Sequence, residues 1–247
     1  MLILLPPSET KREGGIEGSR LAVHELGFPG LHGARQTAIA ALQELARDRD
    51  AAVAALKLGP RQHHEAERNR RIRHSPVLPA LDRYDGVLYD ALDAASLPAG
   101  ARAFAHDHVA ISSALFGLTR ALDPIPAYRL SADSRLPGVH LKKLWAPAVA
   151  SALAGAAGLV LDLRSEAYAA LGPVPADLPT AFVRVVSDDG GRRRALNHFN
   201  KAGKGRLVRA LLLAGIDHPD ADSLLAWAAS AGIRLEPGAA GELDLVV

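Results

Sequence analysis

With 247 residues the chain can bury a substantial core and has room for one large domain or two small ones. Its 29 Lys and Arg stand against 27 Asp and Glu, a formal net charge of +2, so holding a polyanion requires a local basic patch rather than a global field. A charged fraction of 23%, spread over both signs, excludes a disordered polyelectrolyte, and the absence of cysteine excludes disulfides, zinc–thiolate centres and thiol redox chemistry.

Residues 2–5 (LILL), stopped by Pro6 and Pro7, predict a short buried strand that delivers the polar loop 8–15 (SETKREGG). The opening apolar run is too short, and lacks the preceding basic segment, for a secretory leader. The Ala-rich run 148–161 falls below a membrane span, and a cytoplasmic protein without a membrane segment is expected. The Ala-rich segment 33–58 has helical spacing, Gly59 and Pro60 end it, and 61–72 predict a second, solvated helix, so the two form a helical hairpin. Next come a short helix or turn at 85–93, a strand leading into a loop at 108–115, and an amphipathic helix at 141–155 kinked at Pro147. A buried strand is predicted at 159–165 and a hairpin at 180–199 turning through 188–191. An apolar helix at 205–213, another at 220–232 ended by Gly232, and strands at 233–237 and 242–247 close the chain. Strands alternate with helices but include a hairpin. The expected fold is therefore α/β of the mixed α+β kind, a single compact domain 1–247 with a mixed sheet flanked by helices.

The segment 198–216 (HFNKAGKGRLVRALLLAGI) carries Lys201, Lys204, Arg206 and Arg209 with no acid before Asp217. It is not a Walker loop, because His198 stands where a Gly is required and Gly205 where Ser or Thr is required. Gly203 and Gly205 would let a backbone approach closely at the start of helix 205–213, and a helix start beside lysines suits a phosphate or carboxylate. A solvated basic face accounts for the same residues. Arg192, Arg193 and Arg194 extend the patch, and a second cluster runs from Arg61 to Arg73, diluted by Glu65 and Glu67. His106 and His108 would share one face of a strand, but no third metal ligand is near in sequence, so no metal is expected. Residues 112–117 (SSALFG) are not a nucleophile elbow, and Asp162, Glu166 and Asp123 remain as acid/base candidates.

Several stretches, in order along almost the entire chain, together resemble the YaaA-type peroxide-stress proteins: 1–11 (MLILLPPSETK), 84–92 (YDGVLYDAL), 111–130 (ISSALFGLTRALDPIPAYRL), 141–149 (LKKLWAPAV), 160–168 (VLDLRSEAY) and 198–212 (HFNKAGKGRLVRALL). The resemblance implies a cytoplasmic α/β protein that limits free iron and oxidative damage to DNA under hydrogen peroxide. It also implies DNA binding through a helix-hairpin-helix-like element and a positively charged cleft, with the turn at Gly59 and Pro60 standing where that element belongs. Two functions follow for test. In the first, Lys201, Lys204, Arg206 and Arg209, with Arg61, contact DNA phosphates without reading sequence. In the second, an enzyme seats a small phosphorylated or nucleotide-like anion on Ser8, Lys11, Arg129 and Lys204, with Asp162 or Glu166 as acid/base group and no cofactor.

Overall fold

The computed structural model describes residues 1–189, 192–195 and 200–247. In chain order the elements are β1 (Leu2–Leu5), α1 (His32–Leu45), α2 (Arg49–Ala55), α3 (His64–Arg70), β2 (Val77–Pro79), α4 (Ala80–Arg83), α5 (Val87–Leu92), α6 (Ala99–His108), β3 (Val109–Ser113), β4 (Gly117–Arg120) and β5 (Pro124–Pro126). They continue with α7 (Leu141–Leu153), β6 (Val160–Asp162), α8 (Glu166–Leu171), β7 (Thr180–Asp189), β8 (Arg192–Ala195), α9 (Asn200–Ala214), α10 (Ala221–Ser230), β9 (Leu235–Pro237) and β10 (Glu242–Val246).

The main sheet runs β4-β3-β1-β6-β7-β10-β9, with β8 paired to β7, and β2 with β5 forms a separate two-stranded ribbon. Strands β3, β1, β6, β7 and β10 are mutually parallel, while β4, β8 and β9 are antiparallel to their neighbours. This is the mixed α/β sheet flanked by helices that the sequence predicts. Every residue of β1, β3 and β6 is buried, as expected of short apolar strands covered on both faces. From β1 the chain passes to β3 on one side of it, whereas β6 lies on the other side and leads on to β7. The carboxyl ends of β1 and β6, where Leu4 is level with Asp162, therefore flank a point at which the strand order reverses.

Two fully buried arginines tie loops to this frame through main-chain carbonyls alone. Arg35 of α1 donates to Phe116, Gly27 and Leu118, and Arg83 donates to Ile125, Arg12, Gly14 and Pro76. Burial draws both guanidinium groups down to about 10, and dense carbonyl solvation is what keeps such a charge tolerable inside.

Four sequence expectations are corrected. Segment 33–58 is not one helix: it breaks after Leu45, and Asp48 caps α2 by accepting from the amides of Asp50 and Ala51. The hairpin survives as α2 and α3, both packed with α1. His106 and His108 end helix α6 rather than lying in a strand, so residues two apart point away from each other. Strand β6 stops at Asp162, and the rest of the predicted strand turns into the loop before α8. Helix α9 begins at Asn200, so Lys201, Gly203, Lys204 and Gly205 are helical and not a loop. Gly203 and Gly205 do serve close approach, but to protein: Gly203 faces Val247 and Val185, and a Cβ on Gly205 would overlap the Leu88 carbonyl of α5. Pro147 lies inside α7 as predicted. Strands β7 and β8 form the predicted hairpin; its turn, and the side chains of Arg192, Arg193, Arg194 and His198, lie outside the described residues. Among the described residues no helix is long and apolar enough to cross a membrane.

Candidate functional site

The carboxyl edge of β1, β3 and β6 gathers polar side chains on apolar supports. β1 ends at Leu5, and the following Pro6 carbonyl accepts from Tyr89 Oη of α5 at 2.7 Å. Ser8 packs against Gly86, where an added Cβ would lie 3.2 Å from its Oγ. The polar loop is strapped down at Lys11, whose main chain pairs with Tyr84, and at Arg12, whose amide donates to the Arg83 carbonyl at 2.9 Å. This strap turns the Lys11 side chain inward. Only 5% of Lys11 is exposed; its Nζ donates to the Glu9 carbonyl at 3.1 Å and lies 4.3 Å from the centre of the Tyr128 ring and 5.6 Å from that of Tyr84.

From the end of β3 a chain of hydroxyls runs toward the same point. Ser113 Oγ accepts from the amides of Leu115 and Phe116 and lies 2.7 Å from Tyr128 Oη, which lies 2.9 Å from Tyr84 Oη. With both lone pairs of Ser113 engaged, its proton goes to Tyr128, Tyr128 donates to Tyr84, and the Tyr84 proton is the far end of the chain from Ser113. Burial raises all three nearby phenols, Tyr84, Tyr89 and Tyr128, which keeps them neutral donors. The fourth tyrosine of the chain, Tyr168 of α8, is likewise raised by burial and lies close enough to feel Tyr128.

Two further pieces complete the edge. Asp162, the last residue of β6, accepts from Arg164 Nε at 2.9 Å and Nη2 at 2.7 Å, and Arg164 Nη1 donates to the Gly172 carbonyl at 2.6 Å. This pair is almost wholly buried. It holds the turn so that the Leu163 carbonyl, at 3.0 Å, accepts from Lys204 Nζ. Lys204 is itself buried and 5.3 Å from the Phe182 ring centre. Burial lowers the Lys11 amine to about 7, helped by neighbouring Arg129, and lowers Lys204 to about 8 against the opposing pull of Asp162. Arg129, in the segment after β5, is ion-paired with Glu9 at 2.6 Å, its main chain clamped on both sides by the Asn69 amide group at 2.8 Å.

Of the residues singled out from sequence, Ser8, Lys11, Arg129, Asp162 and Lys204 thus come to one edge of the sheet. The others do not join them as free groups. Arg209 is spent on the end of α5, donating to the Leu92 and Asp93 carbonyls and to Ser96 Oγ. Lys201 and Arg206 are exposed on α9, and Arg61 is exposed in the turn before α3. Glu166 is exposed and 3.3 Å from Arg184. Asp162 is no free acid or base, since both its oxygens are committed to Arg164, and Asp123 accepts from the amides of Gly27 and Arg120, pinning a turn. Sequence reasoning passed over Tyr84, Tyr89, Ser113, Tyr128 and Arg164. One signal was available: the chain has only four tyrosines, and all sit in segments that flank this edge.

Beneath the edge, Ser112, Trp145, Arg164 and Tyr168 line a cavity of about 10 Å³, room for one water, and Ser112 Oγ has no hydrogen-bond partner among the described residues. A larger cavity of about 670 Å³ opens at the opposite, amino-terminal edge of the sheet beside Phe28, His108, Arg120 and Asp217, and holds none of the predicted site residues. Among the described residues no group of three or more His, Asp or Glu is arranged to hold a metal ion.

Comparison with known proteins places the chain in a family. The model of the peroxide stress protein YaaA matches residues 1–234. A UPF0246 protein of Corynebacterium glutamicum is 44% identical over the full length of both chains, and one from Corynebacterium efficiens is 41% identical over the full length of both. A UPF0246 protein of Streptomyces coelicolor is 43% identical over 87% of this chain and 84% of its own. The chain belongs to the peroxide stress protein YaaA family.

Proposed function

We propose that the protein serves the peroxide stress response in the cytoplasm by binding a small anion, a carboxylate or a phosphate, at the carboxyl edge of β1, β3 and β6. One observation carries this reading. Lys11 and Lys204 are buried at that edge, and among the described residues their Nζ atoms donate only to main-chain carbonyls, with no carboxylate in contact. A buried ammonium without a contacting carboxylate is costly, and an incoming anion offsets that cost for the lysine it meets. Ser8 and Arg129 in the neighbouring loops add a hydroxyl and a guanidinium, and the edge coincides with the strand-order reversal where open α/β sheets take their ligands. The test is a thermal-shift titration of the whole chain with inorganic phosphate, AMP and citrate, compared with Lys204→Met and Arg129→Ala. Stabilisation of the parent chain that is lost in both variants is expected. Equal shifts in all three proteins, or none in any, would sink the reading.

A second reading, DNA binding that spares DNA from iron-driven oxidation, draws on Lys201 and Arg206, exposed on one helix with no acid before Asp217. Phosphate contacts of this kind weaken steeply with salt. A mobility-shift titration whose affinity does not fall between low and high salt, or is unaltered in Lys201→Glu/Arg206→Glu, speaks against it.

A further inference from the structure

We propose that Lys11 is a reactive amine that forms an imine with the carbonyl carbon of an anionic aldehyde or 2-oxo acid seated at this edge. The inference rests on the anion site proposed above and names the chemistry its ligand would undergo.

Three features carry it. The first is the wall around the amine. Nζ lies over the faces of Tyr128 and Tyr84, and its hydrogen bond is to a main-chain carbonyl, that of Glu9. Such surroundings stabilise an ammonium less than water does, so a neutral amine with a lone pair is favoured. The charged groups that act on it come from three directions: Glu9 on its own loop, Arg129 after β5, and Glu65 and Arg68 on α3. The two arginines oppose protonation and the two glutamates favour it; burial outweighs both and leaves the amine at about 7. At pH 7.5 most Lys11 side chains are then uncharged, against about one in a thousand for a solvated lysine.

The second feature is the donor chain. Tyr128 and Tyr84, the two rings that flank the amine, carry the hydroxyls that continue the chain from Ser113. The Tyr84 proton has the chain behind it to support donation to a carbonyl oxygen. The third is the neighbouring Arg129, whose charge acts on the Lys11 amine: exchanging its Glu9 partner for the carboxylate or phosphate of the ligand, it would leave the ligand's carbonyl to face Lys11.

The reaction balances without a co-reactant. The Nζ lone pair attacks the carbonyl carbon and a C–N bond forms; one amine proton moves to oxygen, giving a carbinolamine. The nitrogen lone pair then closes the C=N bond as the hydroxyl leaves with a proton passed through Tyr84, and the second amine proton restores the phenol. Amine and carbonyl compound become imine and water.

The experiment is reductive trapping on the full chain. Glyoxylate, as an anionic aldehyde, and propanal, as a neutral one, are each mixed with the protein and cyanoborohydride from pH 6 to 9, and adducts are located by peptide mass mapping. Expected is a glyoxylate adduct on Lys11 forming at least tenfold faster at pH 7.5 than on the exposed Lys57, Lys142, Lys143 and Lys201, with a rate rising through a midpoint near pH 7. Lys11→Arg should lose that adduct and retain the surface background; because the parent chain's map and pH profile suffice, a misfolded variant does not spare the proposal. Labelling of Lys11 no faster than of the exposed lysines overturns it. If glyoxylate shifts the melting temperature but leaves Lys11 unmodified, imine chemistry falls and the anion seat stands. If propanal labels Lys11 as fast as glyoxylate, the reactive amine stands and the anion seat falls.

Discussion

Helix α3 and the carboxyl edge of β1, β3 and β6 are both rich in cations, and the fold treats them in opposite ways. On α3 each arginine has an acid within one turn: Arg70 and Arg71 share Glu67, and Arg68 meets Glu65 and, from the polar loop, Glu13. The pairs with Glu67 cancel charge at a solvated surface, where their energetic worth is small, and the more buried Arg68 is neutralised by Glu65 beside it. At the edge, Lys11 and Lys204 are buried on aromatic rings and carbonyls, where each uncancelled charge is expensive. The density of basic residues therefore points to the wrong region. What marks a candidate site is a cation that the fold holds inside without neutralising it.

The comparison is most severely strained where the edge does contain a complete pair. Arg164→Met leaves the Asp162 carboxylate buried with its two strongest donors gone, and a loss of about 3–5 kcal/mol in urea-unfolding stability is expected. The double variant Asp162→Leu/Arg164→Met should recover most of it, because both charges are then absent. A loss below about 1 kcal/mol in the single variant would mean that the edge is as well solvated as α3, and the contrast would dissolve.

Next in size, and opposite in sign, is Lys11→Met. The folded amine sits at about 7 and the unfolded one near 10.5, so unfolding takes up a proton between those values. The penalty is present in full below pH 7 and is relieved as pH rises toward 10.5, so parent stability increases across that window. Lys11→Met should exceed the parent by a few kcal/mol at pH 6, on the order of 1.4 kcal/mol for each unit of depression, with the gap closing by pH 10. Lys204→Met repeats the pattern over the narrower window from about 8 to 10.5. Melting curves at pH 6, 8 and 10 decide; a gap that does not change with pH would assign the effect to packing rather than charge.

These two lysines also mark how far the sequence could be read. β1, α7 and α10 were legible because periodicity, a Pro pair and a terminal Gly are local signals. The mixed sheet followed from the alternation of such elements. The start of α9 was misplaced because Gly203 and Gly205 resemble a loop until their partners are known: the sheet side chains pack closely on Gly203, and α5 comes so near Gly205 that only glycine fits. The four tyrosines and the Arg164–Asp162 pair were passed over for the same reason, since their role arises from strands and loops far apart in sequence meeting at one edge. Lys11 was identified as an anion donor, but its burial depends on the pairing of its loop with Tyr84, a contact across more than seventy residues.

Gly205→Ala tests that account of α9 directly. A Cβ there would meet the Leu88 carbonyl and the Ala91 side chain, so helix α9 must shift away from α5, at a cost of about 1–3 kcal/mol despite the better helix propensity of alanine. Gly33→Ala in α1, with no atom within 4 Å of the added methyl, should instead gain about 0.5–1 kcal/mol. If Gly205→Ala were neutral in stability while weakening anion binding, the glycine would belong to a ligand site after all.

The smallest effect is expected from Lys201→Ala/Arg206→Ala. Both side chains are exposed on α9, they are five residues apart and so do not face one another, and alanine preserves the helix. Unfolding stability should stay within about 0.5 kcal/mol of the parent, and thermal shifts with phosphate or citrate should be unchanged. The double variant is therefore the clean surface counterpart of Lys204→Met, which lies on the same helix but faces inward. The two variants divide α9 between a buried lysine and a solvated basic face. Loss of small-anion binding in Lys201→Ala/Arg206→Ala, with Lys204→Met unaffected, would reverse that division and return the functional surface to the exposed cations.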